Sequence, residues 1–185
     1  PGKINGITPK LAGVLDRCQL SIRYSVYILQ ATLEALNFNI DDYVINQTSI
    51  HRARGSYRCE RGEQIKLQFK KSLPNYAVVH WDGKMLPDTT IRNATVERLP
   101  IVITSKNIEQ ILGVPKLERS TGEEQAAAVC NALKDWGLCN IVQALCCDTT
   151  ASNTGRLNGA CILIEKKLGR DLLYLPCRHH IYELI

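Results

Sequence analysis

The sequence predicts an α/β fold with a mixed β-sheet, preceded by a small helical segment. Two observations carry this prediction. Apolar residues near the start of the chain recur at every third or fourth position, and from residue 76 short β-branched runs alternate with helical patterns. The order after residue 76 is three strands, helix, strand, helix, strand. We therefore expect three antiparallel strands first, followed by strands that are parallel because helices join them.

Residues 1–60 are expected to form the small helical segment. Apolar side chains repeat at helical spacing from Thr8 to about Leu36, and Thr8-Pro9 has the residue types of a helix cap and first turn. A second, short helix is predicted after Asp41-Asp42. Residues 61–75 are expected to be a basic linker, and residues 76–185 form the α/β domain.

The strands of the α/β domain are predicted from apolar runs bounded by turn residues. They are expected near residues 76–83, 84–91, 98–104, 140–147 and 172–176. One helix is predicted from the capping pattern at Ser120 to near Gly137, and another from about Thr154 to Gly169. This order of elements is that of an RNase H-like fold.

The positive charge of the chain is concentrated in one segment. The net charge is +5, and residues 51–71 supply all of it with seven basic and two acidic side chains. The basic residues are Arg52, Arg54, Arg58, Arg61, Lys66, Lys70 and Lys71. Such a patch attracts polyanions and is typical of a DNA-tracking segment, but a solvated linker has the same composition.

Several classes of function have no support in the sequence. No apolar run approaches the roughly 20 residues of a membrane span. A phosphate-binding loop of the Walker type, an HExxH motif and a dinucleotide-binding fingerprint are all absent from the sequence. The eight cysteines follow no disulfide framework, which favours a reducing compartment.

Two aspartates stand where a metal site could form. Asp82 ends the first predicted strand, and Asp148 follows the strand at 140–147, at the end where open α/β sheets bind ligands. Paired carboxylates suit Mg²⁺ and phosphoryl transfer. A structural interpretation stays open for both: Asp82-Gly83 suits a hairpin turn, and Asp148 with Asn153 suits the cap of a helix.

Three segments resemble transposases of the hAT superfamily, especially hAT-like elements of invertebrate genomes. They are His80-Trp81-Asp82-Gly83-Lys84, residues 147–155 (CDTTASNTG) and Pro176-Cys177-Arg178-His179-His180, in the family's order. The resemblance implies that Asp82 and Asp148 are catalytic metal ligands for Mg²⁺ or Mn²⁺. It also implies that His180, in a Cys177-x-x-His180 motif, lies near the scissile phosphate. The family's third acid, a glutamate on a later helix, has no counterpart in these residues.

The sequence therefore predicts a fragment of a cut-and-paste DNA transposase, which implies DNA as partner, a nuclear location and homo-oligomers of the full-length protein. The alternative is an inactive, domesticated module that binds DNA or another partner, and a weaker one is a cellular RNase H-like nuclease. Cys177 and His180 are also half of a zinc site, but no second pair has suitable spacing. If the nuclease interpretation holds, the strands bearing Asp82 and Asp148 are adjacent and parallel, with carboxylates within about 8 Å.

Overall fold

The computed structural model describes residues 2–87 and 95–177, which divide into two compact units at Lys71/Ser72. In the described residues of the first unit there are three α-helices and one 3-10 turn. These are α1 (Pro9–Arg17), α2 (Ile22–Ala35), the 3-10 turn (Ile40–Asp42) and α3 (Gln47–Lys70). No helix in the described part of the chain is both long and apolar enough to cross a membrane.

The first predicted helix is in fact two helices. Thr8 caps α1 and Pro9 begins it, as predicted. The chain then turns at Gln19, whose φ of 52° is left-handed, and Ser21 caps α2 by accepting a hydrogen bond from the Tyr24 amide at 3.1 Å. The continuous apolar spacing concealed this break because both helices bury one face against the same core.

That core is small and tightly packed. Its fully buried members are Ile7, Ala12, Leu15 and Ile50. α1 approaches α3 closely at Gly13, where an added Cβ would lie 2.7 Å from the Tyr57 hydroxyl. The first unit is therefore held by contacts between helices that are distant in sequence.

The expected basic linker is mostly helical. α3 continues to Lys70, so residues 61–70 of the predicted 61–75 linker belong to the helical unit. Seven of these ten residues are Arg, Glu, Gln, Leu or Lys, which are strong helix formers. Asn46 begins α3 with a reciprocal capping box, in which Asn46 and Ser49 each accept the other's backbone amide.

The second unit is an α/β domain. Its strands are β1 (Ala77–Trp81), β2 (Lys84–Pro87), β3 (Thr95–Arg98), β4 (Ile101–Ser105), β5 (Ile108–Gly113), β6 (Val142–Cys147) and β7 (Leu173–Pro176). Its helices are α4 (Gly122–Trp136), α5 (Ala151–Thr154) and α6 (Ala160–Leu168).

Five strands form the central sheet in the order β5-β4-β1-β6-β7. β1, β4 and β5 pair antiparallel, whereas β6 pairs parallel with both β1 and β7. The connections between the parallel strands carry helices, as the sequence pattern predicted. The domain is thus an RNase H-like mixed sheet.

The third antiparallel strand is not the predicted one. β2, in the segment expected as strand 84–91, pairs with β3 in a separate two-stranded sheet, and residues 88–91 lie outside the described part of the chain. The edge position belongs to β5, which the sequence pattern did not indicate. Its Glu109 and Gln110 weaken the apolar signal, as is common on edge strands.

The helices of this unit begin and end at identifiable residues. Thr121 caps α4, one residue later than the predicted capping pattern, and Gly137 ends it with a φ of 74°. The helix expected from about Thr154 begins only at Ala160, as α6, because the short α5 ends at Thr154 and Leu157 between them is 76% exposed rather than buried. Gly169 follows α6 in a left-handed conformation, as predicted.

Candidate metal centre at the end of two parallel strands

Asp82 and Asp148 follow two neighbouring strands at the same end of the sheet. β1 and β6 are parallel, and their last paired residues are His80 and Cys146. Each aspartate lies two residues beyond its member of that pair. Adjacent strands are about 4.8 Å apart, so the backbone leaves the sheet at neighbouring positions just before the two aspartates. The predicted adjacency of these strands is confirmed, and the role of the acids as metal ligands remains a prediction.

The carboxylate of Asp148 is held by donors from the segment that follows it. Its Oδ1 accepts hydrogen bonds from the Thr150 amide at 3.0 Å, the Thr150 hydroxyl at 2.6 Å and Asn153 Nδ2 at 2.6 Å. This set of hydrogen bonds includes one backbone amide just before α5, as the structural interpretation expected, although the N-cap residue of α5 is Thr150 and its side chain makes no cap hydrogen bond. The same set also fixes the orientation of the carboxylate, because the side-chain torsion of an aspartate is otherwise broad.

Asp82 is more open. Its side chain is 53% exposed, and its Oδ2 lies 2.6 Å from Lys84 Nζ. This lysine begins β2, which pairs with β3 and not with β1, so the hairpin turn that the sequence allowed at Asp82-Gly83 is not formed. The ammonium group of Lys84 is thus already paired with this carboxylate.

A buried network joins the strand of Asp82 to Asp148. The Trp81 indole donates to Gln125 Oε1 at 3.1 Å and to Asn153 Oδ1 at 2.9 Å. Asn153 in turn donates to Asp148. In the sequence Asn153 was indicated only as a cap residue, and Trp81 and Gln125 had no predicted role, since three separate segments meet only in the folded domain.

β7 and α6 complete the surroundings of Asp148. The Tyr174 hydroxyl donates to the Asp148 carbonyl at 3.4 Å. Burial, reinforced by the nearby acidic groups of Cys147, Cys161 and Asp148, raises the pKa of Tyr174 to about 12, so the phenol stays protonated at neutral pH. The Cys147 and Cys161 thiols are 3.6 Å apart, and their hydrogen bond together with burial raises the pKa of Cys147.

His180, predicted to lie near the scissile phosphate, falls outside the described residues, as do its neighbours Arg178 and His179. Cys177 is described, and its backbone amide donates to the Cys147 carbonyl at 2.9 Å, extending the pairing of β7 with β6. All eight cysteines are free thiols. Within residues 2–87 and 95–177 no three His, Cys, Asp or Glu side chains are grouped as a metal site would require.

The donor chemistry at this end of the sheet fits a hard divalent cation. Asp82 and Asp148 supply carboxylate oxygens, which Mg²⁺ and Mn²⁺ prefer, and no thiolate or imidazole is needed. Two carboxylates do not fill the coordination sphere of Mg²⁺, which usually keeps several waters. These residues can therefore take part in a weak site that further ligands or a phosphate would complete.

The basic segment is a continuous helix with cations on more than one side. Arg52 and Lys70 are separated by five turns of α3 and share a side, whereas Arg58 and Arg61 lie on another. Arg52, Arg58, Arg61, Lys70 and Lys71 are exposed. Lys66 lies 3.9 Å from Glu63 and its side chain is only 16% exposed.

Arg54, expected among the DNA-binding residues, is instead a structural residue. It is 8% exposed, and its guanidinium donates to Asp16 and to the Leu20 carbonyl, the latter at 2.8 Å. Arg58 also binds Asp16, at 2.6 and 2.8 Å, but its side chain is 64% exposed. A cation count along the sequence could not reveal this, because Asp16 lies on a different helix.

Two of the solved structures that are similar to this chain come from one transposase. The crystal structure of the catalytic domain of Mos1 mariner transposase is 14% identical over 60% of this chain and 55% of that chain, with a TM-score of 0.36. The Mos1 transposase paired-end complex with left transposon end is 12% identical over 94% of this chain and 60% of that chain, with a TM-score of 0.35. No family model and no curated protein matches the chain. The fold assignment therefore rests on the strand order itself.

Proposed function

We propose that this chain is part of the catalytic region of a hAT-like cut-and-paste DNA transposase. The observation that carries the proposal is the placement of Asp82 and Asp148 after adjacent parallel strands. Aspartates that served only local structure would have no reason to follow two neighbouring strands at the same end of the sheet. The hAT assignment itself depends on the three motifs around Asp82, Asp148 and Cys177-x-x-His180.

In this proposal Asp82 and Asp148 hold Mg²⁺ or Mn²⁺, and His180 lies near the scissile phosphate. A bound divalent cation would supply charge neutralisation at the phosphate and lower the pKa of a coordinated water. The chain's own contribution is to hold two carboxylates at fixed positions. The reaction is phosphoryl transfer on DNA, and the proposal assigns no third acid among the described residues.

The exposed cations of α3 are proposed to bind DNA phosphates without reading sequence. Arg52, Arg58, Arg61, Lys70 and Lys71 are the residues concerned, and Lys66 is a weaker member because it already pairs with Glu63. Cations that share a side of the helix, such as Arg52 and Lys70, can contact the same phosphate backbone. A nuclear location and oligomers of the full-length protein belong to the same proposal.

The proposal is tested by Mn²⁺ binding, followed by the electron paramagnetic resonance signal of free Mn²⁺. Asp82→Asn and Asp148→Asn should each weaken binding at least about tenfold, since loss of a ligand should exceed the usual cost of losing a supporting group. Asp171→Asn, which removes an exposed carboxylate elsewhere in the same unit, is the control and should bind like the wild type. Absence of saturable binding in the wild type would reject the metal site.

A second candidate function is an inactive module that keeps the fold and the basic helix. The ion pair between Lys84 and Asp82, at 2.6 Å, favours it because the lysine can neutralise the carboxylate without a metal. Lys84→Met separates the two candidates. If Asp82 is a metal ligand, the variant should bind Mn²⁺ more tightly because a competing cation is gone. Under the inactive alternative, the variant should bind no better than the wild type.

A further inference from the structure

The side chain of Asn153 connects a buried tryptophan of β1 to the carboxylate of Asp148. Its Oδ1 accepts from Trp81 Nε1 at 2.9 Å, and its Nδ2 donates to Asp148 Oδ1 at 2.6 Å. Asn153 is 4% exposed and Trp81 2%. We infer that Asn153, oriented by Trp81, is a positioning residue that holds Asp148 ready for a divalent cation, an inference that rests on the proposed function.

Trp81 determines which end of the Asn153 amide faces Asp148. An indole N–H can only donate, so the amide must turn its oxygen toward Trp81 and its NH₂ group toward the carboxylate. The reversed amide would place two donors together at Trp81 and two acceptors together at Asp148. Gln125, which is 5% exposed, accepts from the same indole N–H at 3.1 Å and so helps to fix the ring.

The orientation of Asp148 depends on this amide for a physical reason. Thr150 and Asn153 both donate to Oδ1, from two directions, and together they restrict rotation of the carboxylate. Groups that hydrogen-bond to metal ligands typically change metal affinity 10- to 100-fold when removed. Because Thr150 remains when Asn153 is lost, we expect the lower end of that range.

The chain supplies its own matched control for Trp81. It has only one other tryptophan, Trp136, which is also buried at 6% exposure. The Trp136 indole donates to the Leu112 carbonyl at 2.9 Å, on the side of the sheet occupied by β5. Each Trp→Phe variant therefore removes one buried indole N–H from the same unit, but only Trp81→Phe alters the amide next to Asp148.

The experiment measures Mn²⁺ affinity by paramagnetic resonance on the whole 185-residue chain. Asn153→Ala should weaken binding about tenfold. Trp81→Phe should weaken it roughly threefold, the effect of one modest hydrogen bond, and Trp136→Phe should bind like the wild type. Equal affinity in Trp81→Phe, Trp136→Phe and wild type, with binding still weakened in Asp148→Asn, would overturn the inference and leave the proposed function standing. No saturable binding in the wild type would reject the proposed function, and the inference with it.

A second measurement needs neither metal nor a tryptophan variant. The two indole N–H groups give separate signals in a ¹H–¹⁵N correlation spectrum. Asp148→Asn should shift the Trp81 signal, because the Asn153 amide must readjust, and leave the Trp136 signal in place. If the Trp81 signal does not move, Asp148 and Trp81 are not linked through Asn153, and the inference fails even where Trp81→Phe does not fold.

Discussion

Arg54 of α3 donates its Nε–H to Asp16 of α1 from a nearly buried position. The same carboxylate accepts from Arg58 at 2.6 and 2.8 Å, so one aspartate joins two turns of α3 to the end of α1. The Arg54 guanidinium also donates to the Leu20 carbonyl at 2.8 Å, beyond the turn between α1 and α2. This cluster therefore joins α3 to the end of α1 and to the connection between α1 and α2.

Asp16→Asn should destabilise the first unit by about 2 kcal/mol, because charged hydrogen bonds to a partly buried arginine are removed. The expected loss of stability is smaller than for a fully buried ion pair, because the side chain of Asp16 is 20% exposed. Urea unfolding of wild type and variant measures the difference. Asp41→Asn, a change on the exposed 3-10 turn, is the control and should differ little from the wild type. An Asp16→Asn variant as stable as the wild type would contradict a structural role for Arg54.

Acid should remove the same stabilisation. Hydrogen bonds from Arg58, and then from Arg54, hold the pKa of Asp16 below its usual 3.8 despite the opposing effect of burial. A carboxyl with a depressed folded pKa stabilises the fold above its unfolded pKa, and the benefit is lost as pH falls through the folded value. The stability difference between wild type and Asp16→Asn should thus be constant well above pH 3.8, begin to shrink as the pH approaches that value and continue to shrink below it. A difference that stayed constant into stronger acid would reject the assignment.

The central sheet was predictable to the extent that local sequence determines strand neighbours. The helical crossover before residues 140–147 indicated that β6 is parallel to a neighbouring strand, and the aspartates at the strand ends indicated where a site could form. β5 was missed because its apolar residues are interrupted by Glu109 and Gln110. Its place in the sheet is defined only by its pairing with β4 in the folded domain.

Side-chain partners from distant segments were not predictable. The sequence placed Arg54 among the predicted DNA-binding cations, because its partner Asp16 lies 38 residues away and the pairing is not apparent locally. Asn153 looked like a cap residue because Trp81, its second partner, is separated from it by 72 residues. In both cases the residue suits the role that the local sequence suggests. The sequence does not show which distant side chain the fold places beside it.

Gly122→Ala should strongly destabilise the second unit. An added Cβ would overlap the Asn158 carbonyl oxygen and lie 2.6 Å from that of Ser152, and backbone atoms cannot move aside cheaply. We expect a loss of about 3 kcal/mol in urea unfolding. Gly62→Ala is the matched control, since nothing lies within 4 Å of its added Cβ on α3, and it should gain roughly 0.8 kcal/mol from helix propensity. Equal effects at the two sites would contradict the packing at the start of α4.

The isolated chain should not cleave DNA at a measurable rate in Mg²⁺ or Mn²⁺. The described residues hold no group of three acidic or metal-binding side chains, and two carboxylates alone position a catalytic cation poorly. The assay is conversion of supercoiled plasmid to nicked circles by purified protein. The Asp148→Asn variant is the control for a contaminating nuclease, because the activity of another protein would persist in preparations of this variant. Nicking by the wild type that disappears in Asp148→Asn would show that two acids suffice.

DNA binding, tested by fluorescence anisotropy of a labelled duplex, should depend on the exposed cations of α3. Arg52→Ala with Arg61→Ala should lower affinity and reduce the log–log salt slope by roughly 0.9 for each phosphate that is no longer neutralised. Arg54 is left unchanged because its removal would disturb the helical unit.

The control for that experiment is Lys134→Ala with Lys166→Ala, which removes the same charge from exposed positions on α4 and α6. If attraction depended only on net charge, both double variants would lose affinity equally, since each lowers the +5 of the chain by two. Direct binding of phosphates by α3 predicts a smaller salt slope only for the Arg52 and Arg61 variant, because counterions are released where phosphates are neutralised. Equal slopes in the two double variants would mean that α3 is a solvated helix and not a DNA-binding element.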